Sequence, residues 1–376
     1  MRKIIYVTGT RADYGLMAST LKSVDMCSDI ELSICVTGMH LLEKYGLTAT
    51  EIERDGLKIC GKINVDLGDT SGKTMAIAIA DELSGMVEVF TREKPDLVMV
   101  LGDRGEMLAA AIAAIHLNIP VVHIHAGERS GSVDETVRHA ISKLSHYHFT
   151  ATEEARERLV KMGEWPENIF VTGAPGLDGI TELATTDKAS LCRESGLDPE
   201  KPIALIVFHP IVQEADEAGR QVSIVLDAIE MSGYQAVYLM PNADAGGSLI
   251  REQLENVNQT SGFITYTHLA RTDFMSWMAV ADVMIGNSSS GIIEAASFNT
   301  PVVNIGDRQR GRARNRNVVD VSVNKVKILE AIKSSSRSSL SGSHNIYGAG
   351  HAGEKILALL KTLPLDKKLL DKINAY

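Results

Sequence analysis

Short apolar runs alternate with longer segments of helical spacing along the whole chain. The apolar runs are rich in Val and Ile and are continuous, which is typical of strands buried on both faces of a parallel sheet. They predict strands at 4–8, 31–37, 97–101, 120–125, 147–150, 203–207, 235–239, 262–266, 282–285 and 301–305. Helical spacing is clearest at 72–93, 105–117 and 134–145. This alternation predicts an α/β protein with parallel sheets covered by helices on both faces.

The alternating pattern restarts near residue 203, which indicates two domains in a chain of 376 residues. A polar stretch at 185–201 precedes the restart. We therefore predict one domain over 1–178 and a second over 179–359, with a C-terminal helix at 360–376 that packs back on the first. Both domains are predicted to be Rossmann-like, doubly wound parallel sheets with a ligand in the central cleft between them.

The composition narrows the classes of protein and of partner. Apolar residues make up 44% of the chain and charged residues 23%, as in ordinary globular proteins. The net charge of −10 disfavours nucleic acid and anionic membranes as partners. The most apolar window, 107–124, is interrupted by His116, Asn118 and Pro120 and predicts a buried helix and strand, with no membrane span. Cysteines without metal or disulfide spacing, and a start unlike a secretion signal, predict a cytoplasmic protein.

The first strand ends in a turn that is typical of phosphate-binding sites. Residues 4–15 read IIYVTGTRADYG, so the strand breaks at Gly9 and Arg11 follows two positions later. A turn that opens a helix presents backbone N–H groups to an anion, and a guanidinium group matches phosphate oxygens. Gly9, Arg11 and Gly15 do not fit the dinucleotide fingerprint G-x-G-x-x-G. The turn therefore predicts a phosphorylated ligand other than NAD.

A second strand–turn–helix segment, GNSSSGIIE at 286–294, has small polar residues at the turn. Ser289 and Ser290 can donate hydrogen bonds to phosphate, and Gly291 would let a ligand approach the backbone. Glu294 lies one helical turn further, where a carboxylate suits the two hydroxyl groups of a ribose. The alternative is a serine-capped helix with a solvent-facing glutamate.

An arginine-rich loop and a histidine follow strands of the second domain. The loop GDRQRGRARNR spans 306–316, and Arg308 lies closest to the preceding strand end. The acidic chain and the lack of interleaved aromatic residues disfavour nucleic-acid binding, so we interpret the loop as a phosphate clamp that uses Arg308. His209 follows the first strand of this domain, where ligands gather in open sheets, although a structural histidine is an equal alternative.

Charged residues also follow two buried strands of the first domain. LGDR at 101–104 ends with Asp103 and Arg104, and a helix cap is the plainer role for such an aspartate. HIHAGE at 123–128 offers an H-x-H pair that could bind a metal, but no third ligand stands at a set spacing. The next helix begins near Asp134. Asp103, His125 and Asp134 can converge on one cleft, and such a cluster suits removal and return of a proton.

In their order and spacing, these motifs resemble those of the UDP-N-acetylglucosamine 2-epimerases, and more closely the hydrolysing branch that serves sialic-acid and legionaminic-acid synthesis. The resemblance extends over nearly the whole chain. It is carried by GTRADYG at 9–15, LGDR at 101–104, HIHAGE at 123–128, DETVRHAISK at 134–143, GNSSSGIIE at 286–294 and GDRQRGR at 306–312. The family's fold implies two Rossmann-like domains arranged as in B-type glycosyltransferases, with the nucleotide between them.

The resemblance also implies roles for individual residues. Substrate and UDP would contact Arg11, Arg104, His209, Ser289, Ser290, Gly291, Glu294 and Arg308. Asp103 and Asp134 match the family's acid and base carboxylates, and His209 is placed with the catalytic residues as well as on the diphosphate. His125 stands where other members carry Glu. Its role stays open between base, acid and orienter of the substrate.

The implied reaction begins with loss of UDP from UDP-N-acetylglucosamine. A base removes the C2 proton, and the resulting 2-acetamidoglucal then adds water with inversion at C2, giving N-acetylmannosamine and UDP. The departing diphosphate would be stabilised by guanidinium groups and helix N-termini. Neither a metal nor a redox cofactor is implied, and the expected assembly is a homodimer or a dimer of dimers.

Other readings of the same motifs remain open. A hydrolysing enzyme could act on UDP-N,N'-diacetylbacillosamine, which differs at sugar C4 and C6. A non-hydrolysing epimerase is less favoured, because GTRADYG replaces a GTRPE-type turn and Asp134 replaces Glu. A B-type glycosyltransferase would not need the set of Asp103, His125 and Asp134. A catalytically silent nucleotide-sugar sensor would bind UDP without exchange of the C2 proton.

Overall fold

Two parallel β-sheets form the framework of the protein. The computed structural model describes residues 1–68, 71–241, 244–257, 262–340 and 344–376. Within these ranges seven strands form the first sheet: β1 (Arg2–Thr8), β2 (Ile30–Thr37), β3 (Ile59–Ile63), β4 (Leu97–Leu101), β5 (Val121–Ile124), β6 (Tyr147–Thr150) and β7 (Ile169–Val171). Six further strands of the described chain form the second: β8 (Ile203–Val207), β9 (Gln235–Leu239), β10 (Phe263–Tyr266), β11 (Val283–Gly286), β12 (Val302–Ile305) and β13 (Val318–Val321).

Helices connect these strands and cover both faces of each sheet. Their bounds are α1 (Arg11–Asp25), α2 (Ala49–Arg54), α3 (Gly72–Glu93), α4 (Gly105–His116), α5 (Val133–Leu144), α6 (Glu153–Lys161), α7 (Lys188–Ser195), α8 (Ala218–Ser232), α9 (Gly247–Val257), α10 (Arg271–Val280), α11 (Ser289–Ile293), α12 (Lys325–Ser334) and α13 (Ala352–Thr362). Separate apolar clusters fill the space on the two sides of each sheet. Among the described residues, no helix combines the length and apolarity needed to cross a membrane.

The predicted strands are confirmed, but three strands were not predicted. The spatial orders are β3-β2-β1-β4-β5-β6-β7 and β10-β9-β8-β11-β12-β13, with parallel neighbours throughout. The strands missed from the sequence are β3, β7 and β13, and each lies at a sheet edge. Edge strands are partly exposed, so they lack the continuous apolar runs that identify central strands.

The strand order determines where a ligand site can form. In each sheet the order reverses beside the first strand, between β1 and β4 and between β8 and β11. Ligands of open parallel sheets bind outside the carboxyl ends of the strands at such a reversal. The segments that the sequence marked as chemically important follow β1, β4, β5, β8, β11 and β12. These segments therefore lie at the carboxyl ends of the strands, along the edges where the two sheets face each other.

The chain crosses between the two sheet regions twice. The first crossing follows β7, and the second leads from the second sheet to α13, which packs on α1. The two crossings run side by side, since the Ala174 N–H donates to the Tyr347 carbonyl at 2.8 Å. The final segment then lies on the first sheet region, where the Tyr147 hydroxyl donates to the Pro364 carbonyl at 2.7 Å.

The C-terminal segment is not the single helix expected over 360–376. Helix α13 ends at Thr362, and a short 3-10 turn follows at Lys367–Leu370. Pro364 explains the end, because a proline forces the residue before it out of the helical region. Leu363 indeed has φ −57° and ψ 132°. The segment still contacts the first sheet region, since the Ala375 N–H donates to the Gly163 carbonyl at 2.9 Å.

Candidate active site

A cavity of about 320 Å³ lies between the carboxyl ends of the two sheets. The predicted site residues on its wall are Arg11, Asp103, Arg104, His125, Asp134, His209, Ser289, Ser290, Glu294 and Arg308. Gly291 differs from the expectation, because it faces the core and a Cβ there would lie 3.0 Å from Val302 Cγ1. The third residue of α11 is turned toward the sheet, so packing takes the place of the expected approach of a ligand.

Two backbone N–H groups of the first turn are bonded to a carboxylate of the same turn. Asp13 accepts hydrogen bonds from the N–H groups of Gly9 (3.1 Å) and Thr10 (2.9 Å), while Thr10 Oγ1 accepts one from the Asp13 N–H at 3.2 Å. This reciprocal arrangement is a capping box at the start of α1. Burial raises the pKa of Asp13 to about 6. The Gly9 and Thr10 N–H groups are therefore already engaged within the turn.

Arg11 lies at the cavity wall with its charge already compensated. Its Nε donates to both carboxylate oxygens of Glu51, at 2.9 and 3.1 Å. His268 Nε2 lies 3.0 Å from the same carboxylate. A ligand phosphate that meets Arg11 would therefore compete with Glu51 for the guanidinium group.

Asp103 is fixed by an arginine from α5. Arg138 Nη2 donates to the Asp103 carboxylate, and Arg138 Nη1 donates to the His125 carbonyl at 2.9 Å. Only 3% of the Arg138 surface is exposed, so this guanidinium group links the ends of β4 and β5 inside the protein. Arg138 thereby holds the Asp103 carboxylate in place at the wall of the cavity.

His125 forms a buried chain of contacts with a carboxylate and a second arginine. Its Nδ1 lies 2.8 Å from Glu128 Oε1, and Glu128 Oε2 lies 3.2 Å from Arg312 Nη2, which comes from the second sheet region. Burial alone would raise the pKa of Glu128, but the charges of Arg312 and His125 hold it well below its ordinary value. The His125 Nε2 atom is buried and has no hydrogen-bond partner among the described residues.

Asp134 lies at the start of α5 and has a different environment. Ser132 is the N-cap residue of this helix, and its hydroxyl also donates to the Asp134 carboxylate at 2.7 Å. Burial, and then the neighbouring Asp103 carboxylate, raises the pKa of Asp134. Arg308 Nη2 approaches Asp134 Oδ2 from the other sheet region at 3.8 Å. A carboxyl group with a raised pKa suits proton donation.

The strand ends of the second sheet region position His209 and Arg308 through one asparagine. Asn287 accepts from the His209 N–H at 2.7 Å, and its own carbonyl accepts from Arg308 Nη1 at 3.1 Å. Burial, followed by the charge of Arg308, lowers the pKa of His209 to about 3. A neutral imidazole at this position can donate a hydrogen bond to an anion, but it does not supply a positive charge.

The serine-rich turn after β11 and Glu294 line the cavity from the second sheet region. Ser288 is the N-cap residue of α11, and its hydroxyl lies 2.8 Å from the Ser290 hydroxyl. Arg271 donates to the Glu294 carboxylate, and to the Gly176 carbonyl at 2.9 Å. The plainer interpretation of a serine cap is thus correct for Ser288, but Glu294 is buried and faces the cavity instead of solvent.

The sequence did not identify the arginines that orient the acidic groups. Arg138, Arg271 and Arg312 each pair with a carboxylate at the cavity, yet none follows a strand end directly. A weak signal existed for Arg138, which lies one helical turn after Asp134 and shares its helix face. Arg312 belonged to the arginine-rich loop, where nothing in the sequence separated it from its neighbours.

The histidine pair of β5 does not form a metal site. His123 is engaged at both ring nitrogens, with Nδ1 3.0 Å from Ser142 Oγ and Nε2 2.7 Å from the Gly102 carbonyl. His125 points instead toward Glu128. In the part of the chain that the structure describes, no group of three or more His, Cys, Asp or Glu residues is arranged to bind a metal.

Two parallel-sheet domains that enclose a cavity of carboxylates, histidines and arginines define an α/β enzyme of glycosyltransferase-B-like architecture. A family model for UDP-N-acetylglucosamine 2-epimerase matches residues 22–361. The chain belongs to this family of epimerases.

Curated relatives and a solved structure agree with this membership. The chain is 53% identical over 376 residues, the full length of both proteins, to a "UDP-N,N'-diacetylbacillosamine 2-epimerase (hydrolyzing)" of Legionella pneumophila. It is 33% identical over 334 residues to a "UDP-N-acetylglucosamine 2-epimerase" of Neisseria meningitidis, covering 89% of this chain and 87% of that one. A crystal structure of a Neisseria meningitidis UDP-GlcNAc 2-epimerase has the same fold, with a TM-score of 0.79 and 22% identity over 96% of this chain and 100% of that one.

Proposed function

We propose that the protein is a hydrolysing 2-epimerase whose substrate is UDP-N,N'-diacetylbacillosamine. The observation that carries the substrate assignment is the 53% identity, along the full length of both chains, to the Legionella pneumophila enzyme of that name. A Campylobacter jejuni relative named for hydrolysis of GDP/UDP-N,N'-diacetylbacillosamine is 34% identical over 86% of this chain. By contrast, the Neisseria relative named for UDP-N-acetylglucosamine is 33% identical. The carboxylates, histidines and arginines that line the cavity would serve as acid, base and cationic groups in this reaction.

The UDP group is proposed to bind the second sheet region. Arg308 is the cation best suited to the diphosphate, because its contact with Asp134 is loose at 3.8 Å whereas Arg312 and Arg11 are tightly paired. The neutral His209 and the hydroxyl groups of Ser289 and Ser290 would add hydrogen bonds. Glu294 would accept hydrogen bonds from the ribose. Such a preorganised set stabilises the negative charge that develops as the diphosphate leaves.

The proposed first step is an elimination. His125 Nε2 removes the C2 proton, the electron pair of the C2–H bond forms the C1–C2 double bond, and the C1–O bond to UDP breaks. The Nδ1 contact with the ionised Glu128 leaves Nε2 as the acceptor, as in other His–carboxylate pairs. Arg308 compensates the charge on the departing UDP. The product of this step is a 2-acetamidoglucal.

The proposed second step adds water to that double bond. Asp103, paired with Arg138, accepts a proton from water as the water oxygen bonds to C1. Asp134, whose pKa is raised, donates a proton to C2 on the face opposite to the one deprotonated. One water is consumed, and the products are UDP and 2,4-diacetamido-2,4,6-trideoxymannose. Inversion at C2 follows from the use of different groups for removal and return.

Product analysis in deuterated water tests this proposal. With UDP-N,N'-diacetylbacillosamine we expect free UDP by phosphorus NMR and one deuterium at C2 of the released sugar by proton NMR. Release of a UDP-linked 2-epimer would refute hydrolysis. Release of an unepimerised sugar would refute the elimination.

The second candidate substrate is UDP-N-acetylglucosamine, which the Neisseria relative's name favours. The two substrates differ only at C4 and C6, so kcat/KM measured for both on one enzyme sample distinguishes them. We expect the diacetylated substrate to be preferred by at least about tenfold, the scale of discrimination available from small substituents. If kcat/KM is equal for the two substrates, or higher for UDP-N-acetylglucosamine, then UDP-N-acetylglucosamine is the substrate and N-acetylmannosamine the product.

Three further properties complete the proposal. The enzyme acts in the cytoplasm, as its unpaired cysteines suggest. Its domains are proposed as 1–178 and 179–351 instead of 179–359, with the second ending before α13, because Ala352–Thr362 packs on α1. It assembles as a homodimer or a dimer of dimers, which light scattering of the purified enzyme would test.

A further inference from the structure

The contact chain His125–Glu128–Arg312 joins the two sheet regions beside the reacting groups. His125 and Glu128 follow β5 of the first sheet, whereas Arg312 lies in the loop after β12 of the second. All three side chains are buried, with 7%, 4% and 6% of their surfaces exposed. A buried carboxylate between a histidine and an arginine is costly to form unless both contacts are made. These three residues therefore form a buried link between the two sheet regions.

Arg312 is unsuited to bind a phosphate in this arrangement. Its Nη2 is directed to Glu128 Oε2 at 3.2 Å, and its Nε donates to the Arg129 carbonyl at 3.2 Å. Both partners lie in the loop after β5. The guanidinium group of Arg312 thus contacts the first sheet region through an ion pair with Glu128 and a hydrogen bond to the Arg129 carbonyl, whereas Arg308 in the same loop lies 3.8 Å from its partner Asp134.

The His125 ring is restrained from several directions. Its backbone has φ 58°, in the left-handed region that residues other than glycine rarely adopt. Its carbonyl accepts from Arg138 Nη1, and its Nδ1 contacts Glu128, which leaves Nε2 buried and without a partner among the described residues. A strained residue that is restrained on all sides is typical of a functional position.

We propose that Arg312 is a positioning residue for proton transfer, which completes the His125–Glu128 pair only when the two sheet regions are closed on each other. The inference rests on the proposed function, because it assigns His125 the role of base. With Arg312 in place, the charge of the Glu128 carboxylate is compensated, and this carboxylate accepts a hydrogen bond from His125 Nδ1. Without it, the uncompensated carboxylate stabilises the imidazolium form, which has no lone pair at Nε2.

The effect of Arg312 has to act within a dense set of charges. The titratable and charged groups that face His125 from its neighbouring elements are Asp103, His123, Glu128, Asp134, Arg138 and Arg312. Asp103 and Arg138 compensate each other through their ion pair, and Asp134 has its own partner in Arg308. Loss of the Arg312 charge therefore removes the largest of the positive charges that act on Glu128, and leaves those of His125 and Arg138.

The test uses Arg312→Gln, the conservative variant Arg312→Lys and the control Arg310→Gln. Arg310 lies in the same loop, but its side chain is 72% exposed and lies 3.9 Å from Asp307. For Arg312→Gln we expect kcat to fall by about 100-fold while KM and the Kd for UDP change less than about threefold. The acidic limb of the kcat profile should move to higher pH. The kcat of Arg312→Lys should be at least about tenfold higher than that of Arg312→Gln, and the kcat of Arg310→Gln should match that of the unmodified enzyme.

Two results would overturn the inference. One is a kcat of Arg312→Gln within threefold of the unmodified enzyme. The other is a fall in kcat with an unmoved pH profile and no rescue by lysine, which would mean that Arg312 only stabilises the fold. If Arg312→Gln does not fold, Arg312→Lys alone decides, because it keeps the charge but loses the forked geometry and should lower kcat without moving the acidic limb.

A second readout is independent of the substrate assignment. In protein carrying 15N-labelled histidine, the His125 signals are identified by their loss in His125→Gln. We expect hydrogen on Nδ1 in the unmodified enzyme, and a shift toward the imidazolium form in Arg312→Gln. The same tautomer and titration in both proteins would refute the inference. Failure of every UDP-sugar to react would instead refute the proposed function and leave this measurement intact.

Discussion

Gly131 provides the sharpest test that catalysis requires the closed cleft. Its N–H donates to the Arg308 carbonyl at 2.9 Å, so the loop before α5 touches the loop after β12. A Cβ built on Gly131 would lie 1.6 Å from the Asp307 carbonyl oxygen and 2.7 Å from its carbon. Both atoms are backbone and cannot rotate away. The Gly131→Ala change therefore has to separate the two sheet regions at this point.

The size of the effect follows from that distance. An ordinary contact begins near 3.4 Å, so the Asp307 carbonyl has to move by about 1.8 Å. Such a movement breaks the Gly131–Arg308 hydrogen bond and withdraws Arg308 from Asp134. A misplacement of about 1 Å lowers an enzymatic rate by roughly 100-fold, so we expect kcat to fall by at least that factor. The Kd for UDP should change less than about tenfold, because the proposed UDP contacts stay together on the second sheet region.

The assay is release of UDP measured under saturating substrate, together with UDP binding by calorimetry. Gly72→Ala is the matched control, since an added Cβ at Gly72 meets nothing within 4 Å and its backbone is not left-handed. We expect this control to keep the kcat of the unmodified enzyme. If Gly131→Ala keeps kcat within threefold, catalysis does not need the approach of these two loops, and the reasoning fails.

Three other predictions concern separate parts of the molecule. Asp103→Asn should abolish turnover but keep the Kd for UDP within about tenfold, as expected for a proton-transfer group; turnover like that of the unmodified enzyme would contradict this role. Arg308→Ala should raise the Kd for UDP by about tenfold or more, and an unchanged Kd would remove it from the site. Burial, followed by the charge of Glu106, raises the pKa of Glu82 to about 9, so the folded protein binds this proton more tightly than the unfolded chain. Between pH 5 and 9 its free energy of unfolding should therefore fall relative to that of Glu82→Gln, as urea unfolding would measure, and parallel curves would refute the assignment.

The central architecture could be predicted from sequence because burial on both faces leaves a strong pattern. Strands such as β4 and β11 are continuous apolar runs, and the polar residues that follow them lie at the carboxyl edge of the sheet. The edge strands β3, β7 and β13 left no such pattern, because partial exposure permits polar residues within them. The end of the last helix was predicted wrongly, although Pro364 in the sequence could have indicated that no helix continues through 360–376.

The site could be predicted only as far as its residues follow strand ends. Asp103, His125 and Arg308 were found in this way, whereas Arg312 and Arg271 were not, because their partners are distant in sequence. The first turn shows that a local sequence motif can also be misinterpreted. Thr10 and Asp13 have the spacing of a capping box, and that spacing could have indicated that the turn satisfies its own N–H groups.

The double crossing of the chain between its two halves has a mechanical consequence. Two covalent links lie side by side, joined by the hydrogen bond between Ala174 and Tyr347, and would act together as one hinge between the two sheet regions. They permit rotation about a single line and oppose sliding or twisting of the halves. On opening, each pair of facing residues separates in proportion to its distance from that line. The cleft can therefore admit a nucleotide and return each time to the same alignment.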